Sequence, residues 1–325
     1  MDYSLSAAVY AILIAFVANI VLCPILIPYL TRLKFGQYVR SDGPESHLKK
    51  TGTPTMGGIM IIISLLLSSI LFLQGNYQGV ALILMTLGFG AVGFLDDFIK
   101  ISKKRSLGLR AYQKFLAQIA IAVAFVVYCL NMPGFTTYIL IPFMPGVYWD
   151  LGIWYAPFVC FAILGAVNGA NFTDGLDGLN AGVTALIVAF FLFIAWASHS
   201  PILPIAGAAI GSLLGFLLFN AYPAKVFMGD TGSLALGGFV AGMAVLLGMP
   251  LWLGIVALVY VVEVMSVIIQ VGYFKLTGGK RFFKMAPIHH SFELSGWPET
   301  KVVAFFYIAT TILCLIGYLA FGPGV

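Results

Sequence analysis

Gly79-Val-Ala-Leu-Ile-Leu-Met-Thr-Leu-Gly-Phe-Gly-Ala-Val-Gly-Phe-Leu-Asp-Asp-Phe-Ile-Lys100 decides how this chain folds. Gly79–Leu95 carries no charge, and then two adjacent carboxylates and a lysine arrive together. Hydrocarbon about 30 Å thick is crossed by about 20 apolar helical residues, so the stretch predicts a helix that ends at a water boundary. Nine further runs of this kind surround it: Leu5–Leu30, Gly57–Leu73, Ala111–Leu130, Leu151–Val167, Leu179–Trp196, Ile202–Phe219, Ser233–Leu247, Leu251–Tyr273 and Val302–Phe321. Hydrophobic residues make up 61% of the 325 and charged residues 9%, and the mean hydropathy is +1.03. Backbone in lipid must satisfy its own hydrogen bonds. The expected fold is therefore an all-α polytopic bundle of about ten membrane helices, one domain over residues 1–325.

Ten spans make the loops alternate, and all 17 Lys and Arg then fall on one side. Arg32, Lys34, Arg40, Lys49 and Lys50 lie in the first loop, and Lys100, Lys103, Lys104, Arg105, Arg110 and Lys114 around the third. Lys225 is in the seventh loop, and Lys275, Lys280, Arg281, Lys284 and Lys301 are in the ninth. The opposite side carries Asp2, Asp150 and His199. The positive-inside rule makes the basic face cytoplasmic and puts both termini outside. The first run has no basic n-region and exceeds a signal-peptide core, so it is expected to span. Cys23, Cys129, Cys160 and Cys314 lack metal-ligand spacing and read as core residues. Topology and anionic lipid account for the net charge of +5 without nucleic acid.

Polar residues gather at the span ends. Asp96 and Asp97 close the third run, where a helix C-terminus already carries partial negative charge. Either Lys100, Lys103 and Lys104 compensate them, or they serve a metal or reactive site, the reading favoured for acids beside a membrane. Asn168-Gly-Ala-Asn-Phe-Thr-Asp-Gly-Leu-Asp-Gly178 links the fifth and sixth runs and offers more oxygens than a capped turn requires. Its Asn171-Phe-Thr173 sequon is a chance match on the cytoplasmic side. Asn220 to Ser233 brings Lys225, Phe227 and Asp230 together, a cation, a stacking face and an acid; Asp230 or Ser233 alone would read as a helix cap. Lys49 to Gly58 could hold phosphate on backbone amides, although neither it nor Thr277-Gly-Gly-Lys-Arg281 is a Walker loop. His289 and His290 sit among basic residues that suit phosphate or proton handling. Glu263 is the one charge fully inside an apolar run and is expected to face protein or water, with a transport role as the alternative.

Together, Gly52-Thr-Pro-Thr-Met-Gly-Gly58, Phe94-Leu-Asp-Asp97, Asn171-Phe-Thr-Asp-Gly-Leu-Asp-Gly178, Met228-Gly-Asp-Thr-Gly-Ser233 and Pro287-Ile-His-His290 resemble the phospho-N-acetylmuramoyl-pentapeptide transferases. The resemblance runs along the whole chain, and the first and last segments favour this family over cousins that transfer N-acetylhexosamine 1-phosphate. It implies transfer of phospho-MurNAc-pentapeptide from its UDP conjugate to undecaprenyl phosphate in a bacterial plasma membrane, giving lipid I and UMP with Mg2+. It implies Asp230 as first choice for the magnesium ligand, with Asp97 and Asp96 beside it, and Asp96 as base or nucleophile. Lys50, Thr55, Asn171, Asp174, Asp177, Asn220, Phe227 and Gln270 match positions around the nucleoside and sugar-phosphate pocket, with Phe227 stacking on uracil. Lys114 and His289 would handle phosphate charge, with His290 as a further substrate contact. Membrane lipids are the other expected partner, with a homodimer as a possible assembly. Where the family commonly has three consecutive histidines, this chain has His289-His290-Ser291, which excludes Ser291 from the catalytic set.

Overall fold

The computed structural model describes residues 4–32, 50, 52–103 and 107–322. Lys34, Arg40, Lys49, Lys104 and Arg105 of the expected basic face lie outside the described residues. The helices are α1 (Leu5–Arg32), α2 (Gly58–Ser69), α3 (Tyr77–Ser102), α4 (Ala111–Leu130), α5 (Tyr155–Thr173) and α6 (Leu179–Ala197). They continue as α7 (Leu203–Asn220), α8 (Gly229–Leu246), the short α9 (Leu253–Val256), α10 (Leu258–Leu276), the short α11 (Ile288–Glu293) and α12 (Glu299–Phe321). Among the described residues, nine helical segments are long and apolar enough to cross a membrane. The tenth expected span is the shorter apolar helix Gly58–Phe72.

Three boundaries differ from the sequence reading, each for a physical reason. Helix α5 continues to Thr173, so Asn168 and Asn171 lie on a helix instead of in a loop. Buried side-chain partners hold them there: Asn168 pairs with Gln118, and Asn171 donates to Asp230 and Ser233. Helix α8 begins at Gly229, so Asp230 stands in its first turn and makes no side-chain cap. The single run Leu251–Tyr273 is divided at Ala257 into α9 and α10. The fold also departs from purely α. Tyr138–Leu140 pairs antiparallel with Tyr148–Asp150 as β1 and β2, where aromatic and β-branched residues suit a small hairpin between α4 and α5.

Helix α8 is the axis of the bundle, and 89% of its apolar window is buried although it is the least apolar of the nine candidate spans. Helices α2, α3, α5 and α6 all pack against it. Glycines permit this closeness, as they do in membrane helix packing generally. A Cβ on Gly93 would lie 2.1 Å from the Asp230 carbonyl oxygen, and one on Gly58 would lie 2.1 Å from the Gly232 nitrogen. Helix α1 packs along α7 on the other flank, with Asn19 donating to Ser64 of α2 inside the apolar layer.

Hydrogen bonds tie the connections into two separate groups. Asn76 donates to the Pro201 carbonyl at 2.7 Å, Leu140 N–H to Gly248 and Phe143 N–H to Ala320, all at one end of the bundle. At the other end Phe227 N–H donates to the Pro54 carbonyl, Gly57 N–H returns to the Phe227 carbonyl, and Leu109 N–H reaches Asp96. The motif residues gather at this second end.

Gly93→Ala should push α3 off α8 and cost about 1–3 kcal/mol of overpacking strain. Gly272→Ala, on α10 with nothing within 4 Å of the added methyl, should be close to neutral. Thermal unfolding in detergent compares the two; equal melting temperatures would refute the close contact.

Candidate active site

Asp97 is the first fixed point. Its Oδ2 accepts from Thr231 N–H at 2.9 Å and from Thr231 Oγ1 at 2.7 Å, and its Oδ1 accepts from Asp230 N–H at 3.2 Å. A carboxylate from α3 thus satisfies the free amides at the start of α8, which carry partial positive charge. Asp230 is presented beside it by the same turn. One oxygen of Asp230 takes the Asn171 amide at 3.0 Å, and the other takes Lys114 Nζ at 2.8 Å and Lys100 Nζ at 3.0 Å. Asp96 completes the group. Its Oδ2 holds Lys100 Nζ at 2.6 Å, and its Oδ1 accepts from Leu109 N–H at 2.7 Å. A Cβ on Gly108 would collide with the Asp96 carboxylate, so a side chain there would displace the acid from its present place.

Ligand oxygens of Asp96, Asp97 and Asp230 lie within 4.8 Å of one another. Lys100 Nζ touches Asp96 and Asp230 and lies 3.9 Å from Asp97 Oδ1, so the ammonium sits amid all three. Lysine therefore compensates the acids, as one of the two sequence alternatives for Asp96-Asp97 has it, and the acids also converge. Lys114 reaches the cluster because the Asn168–Gln118 amide pair, at 2.9 Å, locks α5 to α4 one turn away.

Lys50 and Asp177 belong to a neighbouring knot. Lys50 Nζ bridges Asp177 Oδ1 and Glu299 Oε1, each at 2.6 Å, while Asp177 N–H donates to the same Glu299 oxygen. Ala224 N–H donates to the other Asp177 oxygen, and Asn220 links the Gly178 N–H to the Val226 carbonyl. Burial alone would lower the Lys50 pKa, but the hydrogen bonds to Asp177 and Glu299 outweigh it and hold it above its ordinary value. Glu299 carries this knot, yet the sequence reading did not single it out. It stands in the first turn of α12, just after Pro298.

Asp174 follows the end of α5. Burial, together with the carboxylates of Asp230 and Asp97, pushes its pKa up to about 8. Thr55 is buried against Gly229: a Cβ there would lie 2.8 Å from Thr55 Oγ1 and 2.7 Å from Asp97 Oδ2. Phe227 is half-buried at the same junction, held by the backbone bonds to residues 54 and 57. Gln270 turns to the ninth loop instead, where its Oε1 accepts from Phe282 and Phe283 N–H. His289 is fully buried against Glu263, and His290 meets Glu293 at 2.8 Å. Ser291 accepts from Met285 N–H and donates to Met285 O, a backbone clamp in place of a third imidazole.

Two comparisons with known proteins bear on this site. Residues 79–248, which contain the carboxylate cluster, match the model of glycosyl transferase family 4. A phospho-N-acetylmuramoyl-pentapeptide-transferase of Acetivibrio thermocellus is 49% identical over 323 residues, 98% of this chain and 97% of the relative. The chain belongs to this transferase family. Equally named relatives from Clostridium kluyveri and Clostridioides difficile are each 48% identical, covering 96% and 98% of the chain and 98% and 99% of their own lengths.

Asp174 binds its proton more tightly in the folded protein than in the unfolded chain, where a carboxyl keeps its ordinary range. Its contribution to stability should therefore fall as pH rises from about 4 to about 8. Asp174→Asn should remove that component of the slope. Melting temperature measured across this range for both proteins tests it, and parallel curves would exclude the shift.

Proposed function

We propose that this membrane transferase moves phospho-MurNAc-pentapeptide from UDP-MurNAc-pentapeptide to undecaprenyl phosphate. A lipid phosphate oxygen forms the new bond to phosphorus, the bond to UMP breaks, and lipid I results, as required for peptidoglycan synthesis. The observation that carries the reading is the near full-length identity of 49% to a transferase of that name. Chemistry at the cluster agrees with it. Phosphoryl transfer spreads negative charge over oxygens and is assisted by positioned cations. Lys100 and Lys114 supply ammonium groups within a few ångströms of three carboxylates.

The donor set fits Mg2+, a hard cation that binds carboxylate oxygens and phosphates together. Asp230 and Asp96 would hold it through the oxygens now on Lys100, with Asp97 Oδ1 as a third donor; Asp97 Oδ2 is committed to Thr231. Bound there, Mg2+ would neutralise phosphate charge and orient the reacting phosphates. Lys100 would then give up its seat among the acids and turn to substrate phosphate. Lys114 and Asn171 hold the Asp230 carboxylate in place, and Phe227, tied by its backbone to Pro54 and Gly57, would stack on the uracil. The lysine-bearing end is the cytoplasmic one in this reading. The tenth span is Gly58–Phe72, both termini are extracytoplasmic, and the membrane is the bacterial plasma membrane.

UMP release by purified protein given undecaprenyl phosphate, Mg2+ and either UDP-MurNAc-pentapeptide or UDP-N-acetylglucosamine tests the assignment. Release from the muramoyl donor alone is expected. Release from the acetylglucosamine donor alone would move the chain to the cousin activity, and substrate movement across sealed vesicles without UMP would make it a transporter. Asp230→Asn should lower turnover by about a hundredfold or more, as loss of a charge-stabilising group does, while the melting temperature stays near wild type. Chelation by EDTA should abolish turnover and added Mg2+ should restore it; full activity in EDTA would remove the metal from the reading.

A further inference from the structure

Glu263 is a carboxylate with no exposed surface inside α10, 19 residues long. Leaving a charge in such a place is costly unless its oxygens are used. Both are used. Oε1 meets His289 Nδ1 at 3.1 Å, and Oε2 accepts from Ile288 N–H at 3.0 Å. His289 is likewise fully buried, and its second nitrogen, Nε2, has no hydrogen-bond partner among the described residues. That atom is aimed at the turn after Asp174: a Cβ built on Gly175 would lie only 2.1 Å from it.

We propose that Glu263 is a positioning residue that fixes His289 as the Nδ1–H tautomer, so that Nε2 is the ring's working atom toward substrate. A carboxylate can only accept, so the proton on this contact belongs to Nδ1. Nε2 is then a bare acceptor. Leaving a neutral acceptor unpaired costs less than burying an unpaired donor of a charged ring. Gly175 completes the device, because any side chain there would push the ring away from the Asp174 turn. The same pairing explains why an acid lies within an apolar run without a transport role. The inference rests on the assignment of His289 to the transferase reaction, and the experiment separates the two.

Protein labelled with 15N-histidine contains four histidines, and His289→Gln assigns the resonance of interest. The expected spectrum of the full-length enzyme shows Nδ1 protonated and Nε2 bare. In Glu263→Gln, the one side-chain oxygen stays with Ile288 N–H and the amide nitrogen donates to Nδ1. The ring should invert to Nε2–H, and kcat should fall by about tenfold to a hundredfold, the range found when the partner that orients a metal-bound histidine is removed, with KM little changed. Gly175→Ala should keep the tautomer and lose kcat on a similar scale. A wild-type ring protonated at Nε2, or Glu263→Gln with unchanged ring resonances, would overturn the proposal. If Glu263→Gln does not fold, the wild-type spectrum and Gly175→Ala still decide. Unchanged turnover in His289→Gln would instead remove His289 from the reaction and leave the tautomer result standing.

Discussion

Helices α3 and α8 approach so closely at Gly93 that the Asp230 carbonyl occupies the place of a side chain, and Asp97 then closes the first turn of α8. Much of the site follows from this contact. A helix start in a buried position leaves amides that need acceptors, and Asp97 supplies them from a different helix. The same bonds orient Asp230 toward Asp96, Lys100 and Lys114. Lys100 of α3, Lys114 of α4 and Asn171 of α5 thus all meet on the one α8 carboxylate of Asp230.

Three acids in such a small space repel one another, and burial adds to the cost. Two lysines and several amides offset it. Lys100 lies within reach of every acid in the cluster, and Lys114 bonds Asp230 and the Asn171 side-chain oxygen. The acids are neutralised in part by lysine, and some of their carboxylate oxygens have a side-chain ammonium as partner instead of a backbone amide. In the proposed reaction, catalysis and folding would draw on the same charges. The Lys50–Asp177–Glu299 knot has a different character: its bonds bring residues distant in sequence to the same end of the bundle and brace the loops around the cluster.

Much of the site was legible because its residues are polar in a chain where polarity is scarce. Asp96, Asp97, Asp174, Asp177 and Asp230 stand out against apolar runs, and Lys114 and Asn171 come from the recognisable family pattern. Glu299 escaped notice because an acid in the first turn of a helix has an ordinary explanation. Gln118 escaped because one amide in an apolar helix carries no signal until Asn168 is seen opposite it. Glu263 was conspicuous but unexplained, since its partner lies 26 residues further on.

The sequence by itself determined the apolar helical bundle and the family. Each depends on composition or local order, which a linear chain displays directly. Tertiary structure alone decided that Asn168 and Asn171 remain helical, that Gly58–Phe72 is the short member of the bundle, and that one apolar run breaks at Ala257. It also decided which acid faces which base. Those choices depend on interhelical approach, set by glycine contacts between segments far apart in sequence, and the hydrophobic period of any one segment says nothing about its neighbour's distance.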